Sequence, residues 1–315
     1  MSAQRLRLIS VLQLPDMAER VAAISPDIEL IQVQGDAPLP ADLRGDILLT
    51  LAFPTPHLPA LLNPARGVRW VHVFGTGVDS FPLELVGDRV LTCSRGASGT
   101  PIAEWVMAML LADAKQLPRV WVQAPPANWH FANLASLAGQ RLGLVGLGAI
   151  GTAVARRARA FDMQVSALVR RPRALPEGVA AAGSIEALLA ESDYLVLAAP
   201  ATPATHHLLN RRTLAAARPG LRLINVARGS LVDHDALRQA LDSGTVATAY
   251  LDAVEPEPPP AGHWLYSHPQ VRLSPHVSWS EPGAMAVLEQ LFYANLERYW
   301  RGEPLAGLVD QQAGY

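Results

Sequence analysis

Three segments of the sequence end in side chains that could bind an anion or move a proton. "LRLINVARGS" delivers Arg228 after an apolar run, "LDAVEPEP" offers the carboxylates Asp252, Glu255 and Glu257, and "VRLSPHVSW" offers His276. An arginine holds a carboxylate through its planar fork, and a histidine exchanges a proton near neutral pH. Taken singly, the arginine could form a structural ion pair and the histidine could be packed in a core. Their arrival together favours a functional site.

Short apolar segments, typical of buried parallel strands, precede these side chains. Helical stretches lie between most of the strands, and the stretch 283–302 predicts a long closing helix. Such alternation predicts an α/β fold with parallel sheets wound on both faces, whose strand carboxyl ends meet at the ligand-binding crevice. The predicted strands are 6–14, 46–53, 68–75, 89–94, 141–148, 163–170, 194–200, 221–229, 247–254 and 271–276.

A glycine motif follows the fifth predicted strand and opens a helix. "LVGLGAIGTAVARRARAF" places Gly146, Gly148 and Gly151 in the G-x-G-x-x-G spacing of a dinucleotide-binding loop. The first glycine permits a tight turn, the second lets the backbone approach a pyrophosphate, and the third lets helix and strand pack closely. The helix then offers free N–H groups to the phosphates. The alternative is an ordinary glycine-rich turn.

The end of the next strand lacks the acidic residue that an NAD site uses for the ribose 2′-hydroxyl. "SALVRRPR" has Val169 at that position, followed by Arg170, Arg171 and Arg173. Because an arginine fork suits a 2′-phosphate, this segment predicts a preference for NADP(H) over NAD(H), carried mainly by Arg170 with Arg171 or Arg173 assisting. The alternative is a set of solvated loop arginines.

Length and composition narrow the remaining possibilities. A chain of 315 residues predicts two domains, and a net charge of −2 gives no reason to expect a nucleic-acid or membrane partner. The single cysteine, Cys93, excludes an internal disulfide, and no group of residues is typical of a metal site. The opening residues lack a signal-peptide apolar region and no apolar run is of membrane-spanning length, so we expect a cytoplasmic protein.

Six motifs follow one another along nearly the whole chain: "GTGVD" (75–79), "GLGAIG" (146–151), "PATPATHHLLN" (200–210), "NVARGSLVD" (225–233), "LDAVEPEP" (251–258) and "SPHVS" (274–278). Together they resemble the D-isomer-specific 2-hydroxyacid dehydrogenases. The closing segments "HWLYSHPQVRLSPHV" and "VDQQAGY" further resemble the NADPH-dependent glyoxylate/hydroxypyruvate reductase branch of that family. Departures are Val169 with Arg170, where NAD-using members carry an acid, and Ala253 with Val254, where "VF" is common.

The resemblance implies roles for individual residues. Arg228, Glu257 and His276 match the catalytic arginine, glutamate and histidine, and Asp252 matches the residue that contacts the nicotinamide carboxamide. The substrate-binding residues implied are Gly75, Thr76, Gly77, Arg228 and His276. The cofactor-binding residues implied, besides the motif glycines, the arginines and Asp252, are Ala149, Ile150, Pro200, Thr205, Val226, Ala227, His276 and Ser278. Arg95, Trp129, His130 and Trp279 could line the substrate end or serve packing and an interface.

The resemblance also implies an architecture and a reaction. We expect two doubly wound parallel-sheet domains, Rossmann-like and flavodoxin-like, with a cleft between them: a substrate domain of 1–98 plus 283–315 and an NADP-binding domain of 99–282. The expected reaction is the NADPH-dependent reduction of glyoxylate or hydroxypyruvate to the D-2-hydroxy acid. Alternatives are a bulkier 2-keto acid as substrate, or a non-catalytic dinucleotide sensor. A homodimer is expected, with the apolar helix 101–112 as its candidate surface.

Overall fold

The computed structural model describes residues 5–34, 37–126, 128–171 and 173–315. They form two compact units: unit 1 comprises Met1–Ala97 and Glu281–Tyr315, and unit 2 comprises Ser98–Ser280. The divisions fall at 97/98 and 280/281, one and two residues before the boundaries expected from the sequence. Within the described ranges, no helix is both long enough and apolar enough to cross a bilayer.

Unit 1 is built on a five-stranded sheet in which all neighbouring strands are parallel. The strand order β2-β1-β3-β4-β5 is the flavodoxin-like order, which confirms the predicted fold class for this unit. The strands are β1 Leu6–Ser10, β2 Ile28–Gln32, β3 Ile47–Leu51, β4 Trp70–Phe74 and β5 Val90–Cys93.

Both faces of the unit 1 sheet are covered, because successive side chains of a strand point to opposite faces. Leu8 and Trp70 lie in one buried cluster with helix α1 (Met17–Ile24) and the C-terminal helix (Ala284–Arg301). Ile9 and Val71 lie in the other cluster, with helix α2 (Leu58–Leu61). The chain's last segment then pairs with β5, where the Val309 amide donates to the Leu91 carbonyl at 2.9 Å.

Unit 2 is built on a seven-stranded parallel sheet with the order β12-β11-β10-β9-β6-β7-β8. Counted from β6, this is the Rossmann order with one further strand, as expected from the glycine motif. The strands are β6 Arg141–Val145, β7 Gln164–Leu168, β8 Val179–Ala181, β9 Tyr194–Leu197, β10 Leu221–Asn225, β11 Val246–Leu251 and β12 Val271–Leu273.

Helices lie on both faces of the unit 2 sheet. Helices α3 and α4 cover one face, and α5, α6 and α7 cover the other. Their ranges are α3 Gly99–Ala114, α4 Ala149–Ala160, α5 Ile185–Glu191, α6 Arg211–Leu214 and α7 His234–Asp242. Alternate residues of a strand belong to the two buried clusters on opposite faces of the sheet. In β9, Tyr194 and Val196 face α3 and α4, whereas Leu195 and Leu197 face the other helices.

Helix α3 is the expected dimer surface, and packing inside unit 2 accounts for part of its apolar character. Ile102, Val106 and Leu110 are buried in the unit 2 core, against α4 and the sheet. Trp105 and Met109 on the same helix are half-buried, so the expected dimer surface on α3 stays a prediction.

Candidate active site

The loop after β10 carries Arg228, and a buried asparagine fixes its path. Asn225 ends β10 with 1% of its surface exposed. Its Oδ1 accepts from the Ala227 amide at 3.0 Å, and its Nδ2 donates to the carbonyls of Arg228 at 2.9 Å and Ala253 at 3.1 Å. One side chain thus ties the loop after β10 to the loop after β11. The sequence interpretation missed Asn225, although an asparagine closing a buried strand is the signal that could have found it.

Gly229 brings these two loops into direct backbone contact. A Cβ atom built on Gly229 would overlap the backbone of Val254 and Glu255. Any side chain here would push apart the loop that carries Arg228 and the loop that leads to Glu257. The requirement for glycine after Arg228 is therefore one of space.

Asp252 anchors the segment that carries His276. Its carboxylate is 2% exposed; Oδ1 accepts from the Ser274 hydroxyl at 2.6 Å and the Val277 amide at 2.9 Å, and Oδ2 accepts from the Ser278 amide at 2.9 Å. A carboxylate has about four acceptor positions, so three are used within the chain and one remains. The structure thus shows Asp252 as a clamp around His276, and its predicted contact with the cofactor stays a prediction.

His276 and Glu257 form a hydrogen-bonded pair on the loops after β12 and β11. The distance from His276 Nδ1 to Glu257 Oε1 is 2.7 Å, and the two side chains are 33% and 39% exposed. Since a carboxylate only accepts, Nδ1 carries the proton of this bond, and Nε2 is the ring atom left for a ligand. The pair unites two of the three residues assigned to catalysis.

The backbone of His276 is in the left-handed region, with φ of 53°. Residues other than glycine seldom adopt this conformation, and it persists where the surroundings impose it. The next residue, Val277, donates its amide to Asp252, and the Trp279 indole donates to the His276 carbonyl at 2.9 Å. The position of the ring is therefore set by contacts of its own backbone as well as by Glu257.

The glycine loop between β6 and α4 has the shape of a dinucleotide cradle. Gly146 has φ of 91°, and a Cβ atom on it would lie 2.8 Å from the Ala198 carbonyl oxygen. A Cβ atom on Gly151 would overlap the Gly146 carbonyl, whereas one on Gly148 would meet nothing within 4 Å. The first and last glycines are thus required by packing, and the middle one leaves open backbone where a pyrophosphate could approach α4. These residues fit the cofactor.

The other residues assigned to the cofactor lie in unit 2 near the strand ends. The Thr205 hydroxyl donates to the Pro200 carbonyl at 2.8 Å and accepts from the Thr202 amide at 2.8 Å, which fixes the turn after β9. Ala149 is exposed and Ile150 is half-buried, both at the start of α4; Val226, Ala227 and Ser278 are buried. Within the described residues, no group of three or more histidine, cysteine or acidic side chains could hold a metal ion.

The three arginines after β7 do not behave alike. Arg173 donates from Nη2 to the Leu147 carbonyl at 2.7 Å, so its guanidinium lies against the glycine loop. Arg170 and Arg171 are exposed at the strand end. The structure therefore brings Arg173 to the glycine loop, whereas the sequence predicts the leading role for Arg170.

The loop after β4 in unit 1 holds Gly75, Thr76 and Gly77, the residues assigned to the substrate carboxylate. The Gly75 carbonyl accepts from the Ser94 amide at 2.8 Å, and the Thr76 carbonyl lies 3.7 Å from the Cys93 sulfur. The Thr76 side chain is exposed. The carbonyls of Gly75 and Thr76 are thus engaged by Ser94 and Cys93. The backbone amides of this loop are the groups that could bind a ligand.

Unit 1 also holds a buried histidine that takes no part in the predicted site. His72, in β4, is fully buried; Nδ1 lies 2.8 Å from the Thr92 hydroxyl and Nε2 lies 3.2 Å from the Ser94 hydroxyl. Burial lowers the pKa of His72 to about 3, because the charged ring is denied water. This histidine is neutral at physiological pH.

The four residues of undecided role lie in varied surroundings. The Arg95 guanidinium lies 5.8 Å from the centre of the Tyr315 ring, in unit 1. Trp129 and His130 lie exposed in the segment after α3, and His130 has φ of 80°. Trp279 bonds the His276 backbone and is the one of these that the structure connects to a catalytic candidate.

Comparisons with known proteins agree with this geometry. A family model described as "D-isomer specific 2-hydroxyacid dehydrogenase, NAD binding domain" matches residues 107–278, all within unit 2. The chain is 35% identical over 265 residues to the glyoxylate reductase of Thermococcus gammatolerans, covering 80% of this chain and 79% of that one.

A second relative, the D-3-phosphoglycerate dehydrogenase of Bacillus subtilis, is 32% identical over 260 residues. That match covers 80% of this chain and 49% of the relative, so the chain spans about half its length. A D-isomer specific 2-hydroxyacid dehydrogenase from Xanthobacter autotrophicus Py2, solved with NADPH and MES, superposes with a TM-score of 0.84 at 28% identity, covering 99% and 100% of the two chains. The protein therefore belongs to the D-isomer specific 2-hydroxyacid dehydrogenase family, with its NAD(P)-binding domain in unit 2.

Proposed function

We propose that this enzyme reduces a small 2-keto acid, glyoxylate or hydroxypyruvate, to the D-2-hydroxy acid with NADPH as reductant. The observation that carries the proposal is the His276–Glu257 pair, held at 2.7 Å at the carboxyl edge of the same sheet that presents Arg228 and the glycine loop. A relative named glyoxylate reductase and a similar structure solved with NADPH support it.

The chain's own residues account for substrate binding and for the proton. When bound, the dinucleotide supplies the hydride. His276, protonated at Nε2, donates that proton to the carbonyl oxygen, while Glu257 holds Nδ1–H and stabilises the charged ring. Arg228 binds the substrate carboxylate and polarises the carbonyl.

Hydrogen bonds and close backbone packing keep these residues in position. The Arg228 guanidinium donates from Nη1 to the Ala227 carbonyl at 2.8 Å, and Asn225 and Gly229 fix the turn around it. Proton transfer needs a donor held within hydrogen-bonding distance of the reacting oxygen. We infer that the strained backbone at His276 and the Asp252 clamp serve that requirement.

The preference for NADPH rests on the strand end after β7. No carboxylate stands at Val169, and three arginines follow it, so a 2′-phosphate meets positive charge without a repelling acid. Our expectation is that Arg170 contacts the phosphate, with Arg171 or Arg173 assisting.

We also propose that the enzyme is a homodimer. After α3, unit 2 exposes several large apolar side chains; Trp121 is 70% and Phe131 is 87% exposed. Large exposed apolar side chains that lie together mark an interaction surface, and we infer such a surface in this segment. Light scattering of the wild type and of a Trp121→Ser, Phe131→Ser double variant tests this: we expect a dimer that the double substitution weakens.

Steady-state kinetics with a substrate panel tests the proposed reaction. Glyoxylate, hydroxypyruvate, pyruvate and a branched 2-keto acid are each assayed with NADPH and NADH. We expect the highest kcat/KM for glyoxylate or hydroxypyruvate with NADPH. A branched acid as the best substrate would establish the bulkier-acid alternative, and binding of NADPH with no turnover of any acid would establish the sensor.

The same assay on Arg170→Ala tests the cofactor preference. A charge-assisted hydrogen bond contributes about 1.5–3 kcal/mol, so losing it should lower kcat/KM for NADPH about ten- to a hundredfold while NADH is little affected. Equal use of both cofactors by the wild type would contradict the preference.

A further inference from the structure

A cavity of about 460 Å³ lies beside the glycine loop of unit 2. One wall is the backbone of Leu147 and Gly148, and another is the face of α4 formed by Thr152 and its neighbours. Two arginines complete the lining, Arg173 from the segment after β7 and Arg156 from the second turn of α4. The glycine motif explains why the cavity adjoins a phosphate-binding loop, but not why Arg156 lines it.

The charged side chains that line this cavity are both positive. Arg156 and Arg173 are its two charged lining residues, and no carboxylate lines it. The other arginines of α4 are engaged elsewhere: Arg157 lies 3.1 Å from Glu104, and the Arg159 guanidinium lies where a Cβ atom on Gly178 would be. Arg156 is thus the arginine of this helix that faces the cavity, with no acid there to neutralise it.

The position of Arg156 on α4 lets it reach back toward the glycine loop. It stands seven residues after Ala149, which is about 10 Å along the helix at ~1.5 Å per residue. Helical side chains lean toward the N-terminus of their helix, so the long arginine side chain covers much of that distance. Between them, Ala153 has a side chain too small to block the path.

Arg173 lines the same cavity from a different element, the segment after β7. Its Nη2 donates to the Leu147 carbonyl at 2.7 Å, which holds the guanidinium at the rim of the glycine loop and leaves its remaining N–H groups for a ligand. Two guanidinium groups from two different elements therefore bracket a cavity next to the open backbone of Gly148.

We propose that Arg156 is a specificity-determining residue, which together with Arg173 clamps the 2′-phosphate of NADPH in this cavity. The inference rests on the proposed NADPH preference and adds to it a residue outside the strand-end segment 169–173. A phosphate monoester carries nearly two negative charges and three acceptor oxygens, which two arginine forks can satisfy together. NADH, with a neutral 2′-hydroxyl, would leave both forks without an anion.

Isothermal titration calorimetry with two fragments of the cofactor isolates this contact. Adenosine 2′,5′-bisphosphate carries the 2′-phosphate, and 5′-AMP lacks it. For Arg156→Ala we expect affinity for the bisphosphate to fall about ten- to a hundredfold and affinity for 5′-AMP to change less than about twofold. Arg156→Lys keeps the charge but loses the planar fork, so its affinity for the bisphosphate should lie between those of the wild type and Arg156→Ala.

Arg159→Ala is the matched control, because Arg159 lies on the same helix outside the cavity. It should leave both affinities unchanged. Unchanged bisphosphate affinity in Arg156→Ala, with the wild type still preferring the bisphosphate over 5′-AMP, would overturn the role of Arg156 and leave the NADPH preference standing. Equal affinity of the wild type for both fragments would overturn both the NADPH preference and the proposed binding of the 2′-phosphate by Arg156 and Arg173.

Discussion

His72 lies within β4 of unit 1, whereas His276 lies on the loop that follows β12 of unit 2. His72 is fully buried between two hydroxyl groups, and its pKa is lowered to about 3. His276 is one-third exposed, and its partner is the carboxylate of Glu257. In the sequence, His72 stands inside the apolar segment "WVHVF", and His276 stands in "SPHVS", shortly after the strand residues "VRL".

The difference teaches that partner and exposure, rather than residue type, decide what a histidine can do. A ring between hydroxyls in a dry core is held neutral, since no anion compensates the loss of water. A ring against a carboxylate, with its other nitrogen accessible, can hold a proton and release it to a ligand. Three substitutions test this contrast, ordered by the size of their expected effect on turnover.

Replacing His276 by Ala should have the largest effect. General acid catalysis contributes about 10²- to 10⁴-fold, so kcat should fall by that factor, while the dissociation constant of NADPH should change only severalfold. Stopped-flow turnover and fluorescence titration of the cofactor measure the two quantities. A variant that keeps near-normal kcat would remove His276 from the mechanism and reduce the contrast with His72 to one of exposure.

Replacing Asp252 by Asn should have an intermediate effect. The amide nitrogen would face the Ser278 N–H, leaving two donors opposed where the carboxylate accepted. The His276 segment should shift, and kcat should fall about tenfold, since ~1.4 kcal/mol is a factor of ten. If instead kcat holds and the affinity for NADPH falls, Asp252 acts on the nicotinamide carboxamide as the family resemblance implies.

Replacing His72 by Gln should leave kcat within about twofold and change the pH dependence of stability. The unfolded histidine binds a proton below about pH 6.5, and the folded one does so only near pH 3. The unfolded state therefore gains protons as pH falls, and this histidine costs up to about 1.4 kcal/mol of unfolding free energy per pH unit in that window.

Denaturant titrations at pH 7.5, 6.5 and 5.5 measure that slope. Its contribution is absent above pH 6.5 and grows as pH falls, so His72→Gln should show a shallower loss of stability than the wild type. The exposed His130→Gln should keep the wild-type slope. Equal slopes in all three proteins would mean that His72 is not held neutral by burial.

The parts of the fold that the sequence predicted best are those buried on both faces. Central strands such as β6 and β9 are almost wholly buried, and the predicted ranges agree with their observed ranges within a few residues. The two strands that were not predicted, β2 and β8, each lie at an edge of their sheet. Both are partly exposed, so they lack the apolar pattern that marks a central strand.

The candidate site was predictable where it depends on strand ends. Arg228 and His276 could be placed together because the carboxyl ends of parallel strands meet at one edge. Asn225 and Arg156 were missed because their importance lies in contacts with other loops, which spacing along the chain does not reveal.

The bonds of Asn225 have a consequence for motion. Because its amide group holds the carbonyls of both Arg228 and Ala253, the two loops cannot open separately without breaking the same hydrogen bonds. Local opening of a protein proceeds in cooperative segments, and here a single buried amide makes two loops from different strands one such segment. In hydrogen-exchange experiments their amides should lose protection at a common rate, so that the loop of Arg228 and the loop leading to Glu257 loosen together or not at all.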